Sequence, residues 1–170
     1  MSNDITIEGL RDCLALITAS HDGEMYGDFT ELRREICVDP QRSAVVLLGI
    51  AFLLKQIDEE VPGAYDVMSA GLEDLTSRGE RADEHIAFVM NLLRDLVQAE
   101  RGTDVVRDIA AYRPEAIELY LSLATNGLVD VLDNAEEQGF STVRQRLTDI
   151  GSSIANAEFD ELDHEHDRYA

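Results

Sequence analysis

Two pairs of carboxylates stand at helical spacing in the C-terminal half of the chain: Glu115-x-x-Glu118 and Asp130-x-x-Asp133. Residues three apart share a helix face, so each pair can turn its oxygens toward one divalent cation. A further cluster, Glu161, His164 and His166, joins a carboxylate to two imidazoles, a donor set that suits adventitious zinc or nickel. Asp22 to Arg33 (DGEMYGDFTELR) echoes a calcium loop, with acids at positions 1, 3 and 7 and Gly27 at position 6. Tyr26 at position 5 and Arg33 at position 12 oppose that reading, because a bidentate glutamate should close the shell. A metal bundle needs its motifs repeated on facing interior helices, and Glu161-x-x-His164 occurs once, near the end of the chain. No cofactor is expected.

The Glu115/Glu118 and Asp130/Asp133 pairs resemble the paired acidic motif of the all-α MazG-like nucleotide pyrophosphohydrolases, over about 20 residues. The resemblance implies a metal-dependent phosphohydrolase in which these four residues hold Mg²⁺. The chain departs from the pattern in one residue type, since the family's second motif begins with Glu where this chain has Asp130. Asn126-Gly127 between the pairs reads as a helix C-cap, which makes the segment a helical hairpin. In such a hairpin, at 1.5 Å per residue, the two pairs are displaced by roughly a turn or more.

Other chemistry is thin. The chain has no G-x-S-x-G elbow and no glycine loop able to cradle a phosphate. Cys13 and Cys37 fall within helical patterns and read as reduced, mostly buried thiols, with a disulfide between them as the alternative. His85 shares a side with Val89, Leu92 and Leu96 and reads as a core-edge residue, while His21 lies among acids.

Charge is the strongest signal. Thirty-five acidic residues face 14 basic ones, a formal charge of −21, and Lys55 is the one lysine. A surface this negative repels nucleic acid and anionic membranes, so direct binding to either is not expected. The charge is uneven: residues 1–85 carry a net −11, 86–113 are neutral, and 114–170 carry −10. Three explanations compete: adaptation to molar intracellular salt, a high-GC genome that suppresses lysine but does not explain the acid excess, and a functional acidic face that mimics DNA or docks on a basic partner.

The elements that must position these residues are helices. Ile7, Leu10, Leu14 and Ile17 form one stripe, and the Asp28–Glu31 capping spacing predicts a second helix ending near Ile36. Asp39-Pro40 opens an apolar helix over about 43–60, whose run from Ala44 to Leu54 is half the ~20 residues a membrane span needs. Further helices are predicted over about 64–76, 80–100, 103–112, 114–126, 128–138 and 141–157. The expectation is an all-α, single-domain bundle of roughly seven to nine helices around the 43–60 helix. Residues 1–157 form the helical domain and 158–170 an acidic tail, a composition that commonly frays.

With no leader signal in the first residues (Ser2, Asn3, Asp4) and no membrane span, a cytoplasmic protein is expected. Its function reads as non-enzymatic protein–protein association, as an adaptor, assembly subunit or regulator, with a basic partner or a second copy of itself. The candidate contact residues are Glu115, Glu118, Asp130, Asp133, Glu136 and Glu137, with Phe159, Leu162 and Tyr169 as anchors in the tail. The alternatives are an acidic mimic that inhibits a nucleic-acid-binding protein, and the metal-dependent phosphohydrolase.

Overall fold

The computed structural model describes residues 7–22, 26–76, 82–98 and 113–169, together with Val106 and Ile109; in the last helix, side chains are described as far as Asn156. Among the described residues there are seven helices and no strand: α1 (Ile7–Asp22), α2 (Tyr26–Cys37), α3 (Pro40–Glu60), α4 (Ala64–Thr76), α5 (Ala82–Gln98), α6 (Pro114–Glu137) and α7 (Val143–Tyr169). They pack as one all-α bundle. The helix predicted over 103–112 falls mostly outside the described residues. No helix among the described residues is long and apolar enough to cross a membrane.

α3 starts where its sequence dictates. Asp39 accepts hydrogen bonds from the Gln41 and Arg42 amides at 3.0 and 3.3 Å, and Pro40 fills the first turn, where its missing N–H costs nothing. Every residue from Ser43 to Ala51 is buried, so this stretch has no solvent face. The single hydroxyl in it, on Ser43, donates to the carbonyl of Ile36 at 3.0 Å, closing the turn between α2 and α3. α3 packs against α1, α2, α4, α5 and α6.

α6 is a second central helix, in contact with all six others. Here the structure corrects the sequence reading: Asn126-Gly127 is not a C-cap, and one 24-residue helix replaces the predicted hairpin. Gly127 is required by packing. A Cβ on it would sit 2.8 Å from Met68 Cγ of α4, so the glycine lets the two helices approach closely. Asn126 is held from α1, accepting the Ser20 hydroxyl at 2.6 Å. The actual stop is Gly139, at φ +89°, with the Phe140 amide donating back to the Ala135 carbonyl at 3.0 Å.

Two other boundaries move. α2 begins at Tyr26, ahead of the Asp28–Glu31 capping spacing, so residues 26–33 of the calcium-like loop are helical. α7 opens with Thr142 Oγ1 accepting the Gln145 amide at 3.0 Å. Its helical backbone then continues to Tyr169, beyond the helix end predicted at 157.

Contacts between α1 and α3 set their relative direction. Asp12 meets Arg42 and Cys13 meets Val46, so the two helices run parallel. Cys13 and Cys37 are both free and buried. Burial raises the Cys13 thiol, which donates to the Val46 carbonyl at 3.1 Å. Burial, followed by the Glu118 carboxylate, pushes Cys37 up to about 11 despite Arg33. Gly49 completes the α1–α3 contact, because a Cβ there would lie 2.5 Å from Cys13 Sγ.

Gly49→Ala is therefore expected to cost about 1–3 kcal/mol through overpacking. In a Cys13→Ala background the same change should be close to neutral or stabilising, since the added methyl gains room and an alanine favours helix. Chemical denaturation of the four proteins of this cycle measures the coupling; equal effects in both backgrounds would contradict the close contact.

Candidate functional site

α6 carries all six of the carboxylates singled out between residues 115 and 137, and its neighbours decide what each can do. Glu118 faces α2, where Arg33 Nη2 lies 3.3 Å and Arg34 Nε 3.9 Å from its Oε1. Arg33 also donates to Ser122 Oγ at 2.6 Å and lies 5.7 Å from the centre of the Phe29 ring. The residue at position 12 of the calcium-like loop is thus turned onto α6. Asp130 sits against α4 over Gly71, in space that a Cβ at that glycine would occupy. Asp133 lies 3.6 Å from His21 at the end of α1. Glu136 Oε2 accepts the Val143 amide at 3.0 Å, which satisfies one of the open donors at the start of α7. Glu115 and Glu137 are solvent-exposed.

The structure does not bring the two acidic pairs together. They lie on one continuous helix, and about 22 Å of rise separates Glu115 from Asp130. A single Mg²⁺ cannot bridge groups that far apart. No group of three or more potential metal ligands occurs among the described residues. Glu161, His164, His166, Phe159, Leu162 and Tyr169 lie on the helical backbone of α7, but their side chains fall outside those described. The side chain of His85 does too.

What the fold does assemble is an acidic end. Glu60 of α3 pairs with Arg146 of α7 at 2.8 Å, and Glu136 of α6 caps that same first turn of α7. The C-termini of α3 and α6 therefore lie side by side, joined by the end of α1 through His21 and Asp133. Each contributes the negative end of a helix dipole, and neither α3 nor α6 has a basic residue in its last turn. Glu60, Asp133, Glu136 and Glu137 lie at these ends, with His21 beside Asp133 and Arg146 beside Glu60. Burial raises the Asp133 carboxyl above its ordinary value, and Glu136 and Glu137 add to the effect while His21 opposes it.

Phe140 stands in this acidic end, 43% exposed, just beyond the Gly139 stop of α6. Sequence reasoning missed it because its exposure depends on where α6 ends. The one available signal was the Gly139-Phe140 step itself, a C-cap glycine followed by an aromatic residue. A second exposed apolar feature is the Phe88–Tyr120 stack between α5 and α6, with centroids 4.9 Å apart.

Comparison with known proteins yields no match to any family model, curated protein or solved structure.

The contacts of α6 can be tested one carboxylate at a time. Glu118→Ala should cost about 1–2 kcal/mol by leaving the mostly buried Arg33 without its carboxylate, whereas Glu115→Ala should stay within about 0.5 kcal/mol. Urea midpoints of the two variants compare these costs directly. For Asp133, a folded-state pKa above the unfolded one means the native state binds the proton more tightly. The stability gained from that proton is full below the unfolded pKa and lost as pH rises through the folded pKa. Asp133→Asn should accordingly raise Tm at pH 7, with the gain vanishing in acid; a lower Tm at pH 7 would show that the His21 contact outweighs the cost of burying the carboxylate.

Proposed function

We propose that this protein works by binding another protein, and that it docks through the acidic end where α3 and α6 terminate. The observation that supports this is Phe140, an exposed aromatic ring that follows Glu136 and Glu137 at the end of α6. A large rigid apolar side chain next to charge is the pattern of an interface anchor: the ring supplies desolvation energy, and the carboxylates select the partner. With two helix C-termini behind them, those carboxylates favour a partner surface rich in lysine and arginine. The role fits an adaptor, assembly subunit or regulator. A second copy of the chain would bring like charge to like unless it offered a different face.

Affinity purification from native extract, at the ionic strength of the source cell, tests the reading. A stoichiometric basic partner should be recovered by the wild-type protein. Its affinity should fall by about 2 kcal/mol or more, roughly 30-fold, with Phe140→Ala. Glu59→Lys/Glu137→Lys should abolish capture, while Glu84→Lys on α5 should leave it intact. Displacement of the partner by added duplex DNA, steeply dependent on salt, would instead favour the acidic mimic. Recovery of the monomer alone would end the proposal.

A further inference from the structure

α5 turns a self-complementary face outward. Glu84, Ala87, Asn91 and Arg94 recur along it at spacings of three, four and three, which keeps them on one side of the helix. All four are exposed, and so is Phe88 beside them. Ile86, Val89, Leu93 and Leu96 are buried in the bundle. Consider an antiparallel copy of the same helix, related by a two-fold axis level with Val89. It sets the second copy's Arg94 opposite Glu84 and its Asn91 opposite Ala87. The symmetry repeats each pair, so a single arrangement forms two ion pairs. Ala87, close to the axis, lets the two helices approach.

Neighbouring helices hold this face ready. Arg94 lies over Tyr65 of α4, 5.1 Å from the ring centre. Stacking occupies the flat side of the guanidinium and leaves its N–H edge to a carboxylate. Phe88, 38% exposed, stacks on Tyr120 of α6 with centroids 4.9 Å apart. A ring already ordered in this way loses little freedom when it is covered. The same two-fold axis brings the Phe88 rings of both copies together, on one side of the helix pair.

Charge selects the occupant. The face suits a helix that offers a base and an acid ten residues apart in reverse order, and α5 of a second copy is such a helix. Residues 86–113 carry no net charge, although the chain carries −21. Tyr120 precedes Glu137 by 17 residues on α6, about 25 Å of rise, which is roughly three Debye lengths at physiological salt. The acidic end therefore does not oppose contact here.

We propose that this face of α5 is a self-association surface, on which a second copy of the chain packs antiparallel, with Phe88 near the two-fold axis and Glu84 paired with Arg94 across it. The face is small against the ~800 Å² per partner of a stable dimer, so the association is weak and reversible. It is separate from the docking end around Phe140, and Glu84→Lys spares capture there, so the two readings fail separately.

Sedimentation equilibrium of the full chain, from low-micromolar to submillimolar concentration, tests the proposal. The wild type should show a reversible monomer–dimer equilibrium. Glu84→Lys and Arg94→Glu each set like charges opposite one another and should each weaken it about fivefold or more. Mixed together, the two variants should pair with each other about as tightly as the wild type does, because the mixture restores an acid opposite a base at both positions. The double variant Glu84→Lys/Arg94→Glu should dimerise by itself, and it serves if one single variant does not fold. Phe88→Ala should weaken the wild-type dimer about tenfold or more. A wild type that stays monomeric throughout would overturn the proposal. So would single variants that dimerise as tightly as the wild type, or a mixture and a double variant that recover nothing.

Discussion

A helix with no polar face must be covered on every side, and α3 imposes that requirement on the rest of this bundle. From Ser43 to Ala51 each residue is buried, so no rotation of the helix could present any of them to water. Each large aliphatic side chain so placed contributes on the order of 1.5–3 kcal/mol relative to exposure. Five of the described helices supply the cover. Where cover must be closest, the chain gives up side-chain volume: Gly49 admits α1, and Gly127 of α6 admits α4. Arg42 then ties three helices at their shared end, gripping both carboxylate oxygens of Asp12 on α1 at 2.7 and 2.9 Å and reaching Glu35 on α2 at 3.3 Å.

Enclosing α3 pushes the charge outward, and the helix directions then sort it. α1 and α3 run parallel, and α3 and α6 end together at the first turn of α7, so α3 and α6 add their negative dipole ends at one pole. An ordinary bundle would place lysine or arginine there. This one places carboxylates, and it offsets them with Arg146, Arg144 and the N-terminus of α7. The Asp133 carboxyl is raised first by its burial, with Glu136 and Glu137 adding to the effect. A pole built against the dipole is unfavourable in the isolated molecule, and a cationic partner would relieve it.

Much of this was legible from residue patterns. The apolar run of α3, its Asp39-Pro40 start, and the helical period of nearly every segment come from local rules that hold wherever the segment packs. The misreading at Asn126-Gly127 shows where such rules stop. Asparagine before glycine favours a helix end, but Met68 lies nearly sixty positions earlier in the chain, and its packing against Gly127 makes that glycine an interior residue of α6. The acidic stripe of α6 is a parallel case. Its charges are plain in the sequence, whereas the pairing of Glu118 with Arg33 and of Asp133 with His21 joins residues some 85 to 112 positions apart.

By itself, then, the sequence determined the helical class, the central apolar helix and the sign and uneven distribution of the charge, because these depend on period and composition within a few turns of chain. The tertiary structure alone decided that the two carboxylate pairs stay apart on one helix, that four of the six acids of α6 have intramolecular roles, and that Phe140 is exposed just beyond the end of that helix. Those outcomes depend on which distant helices meet and in which direction they run. That is settled by how the faces of α3 and α6 are covered, and no local spacing encodes it.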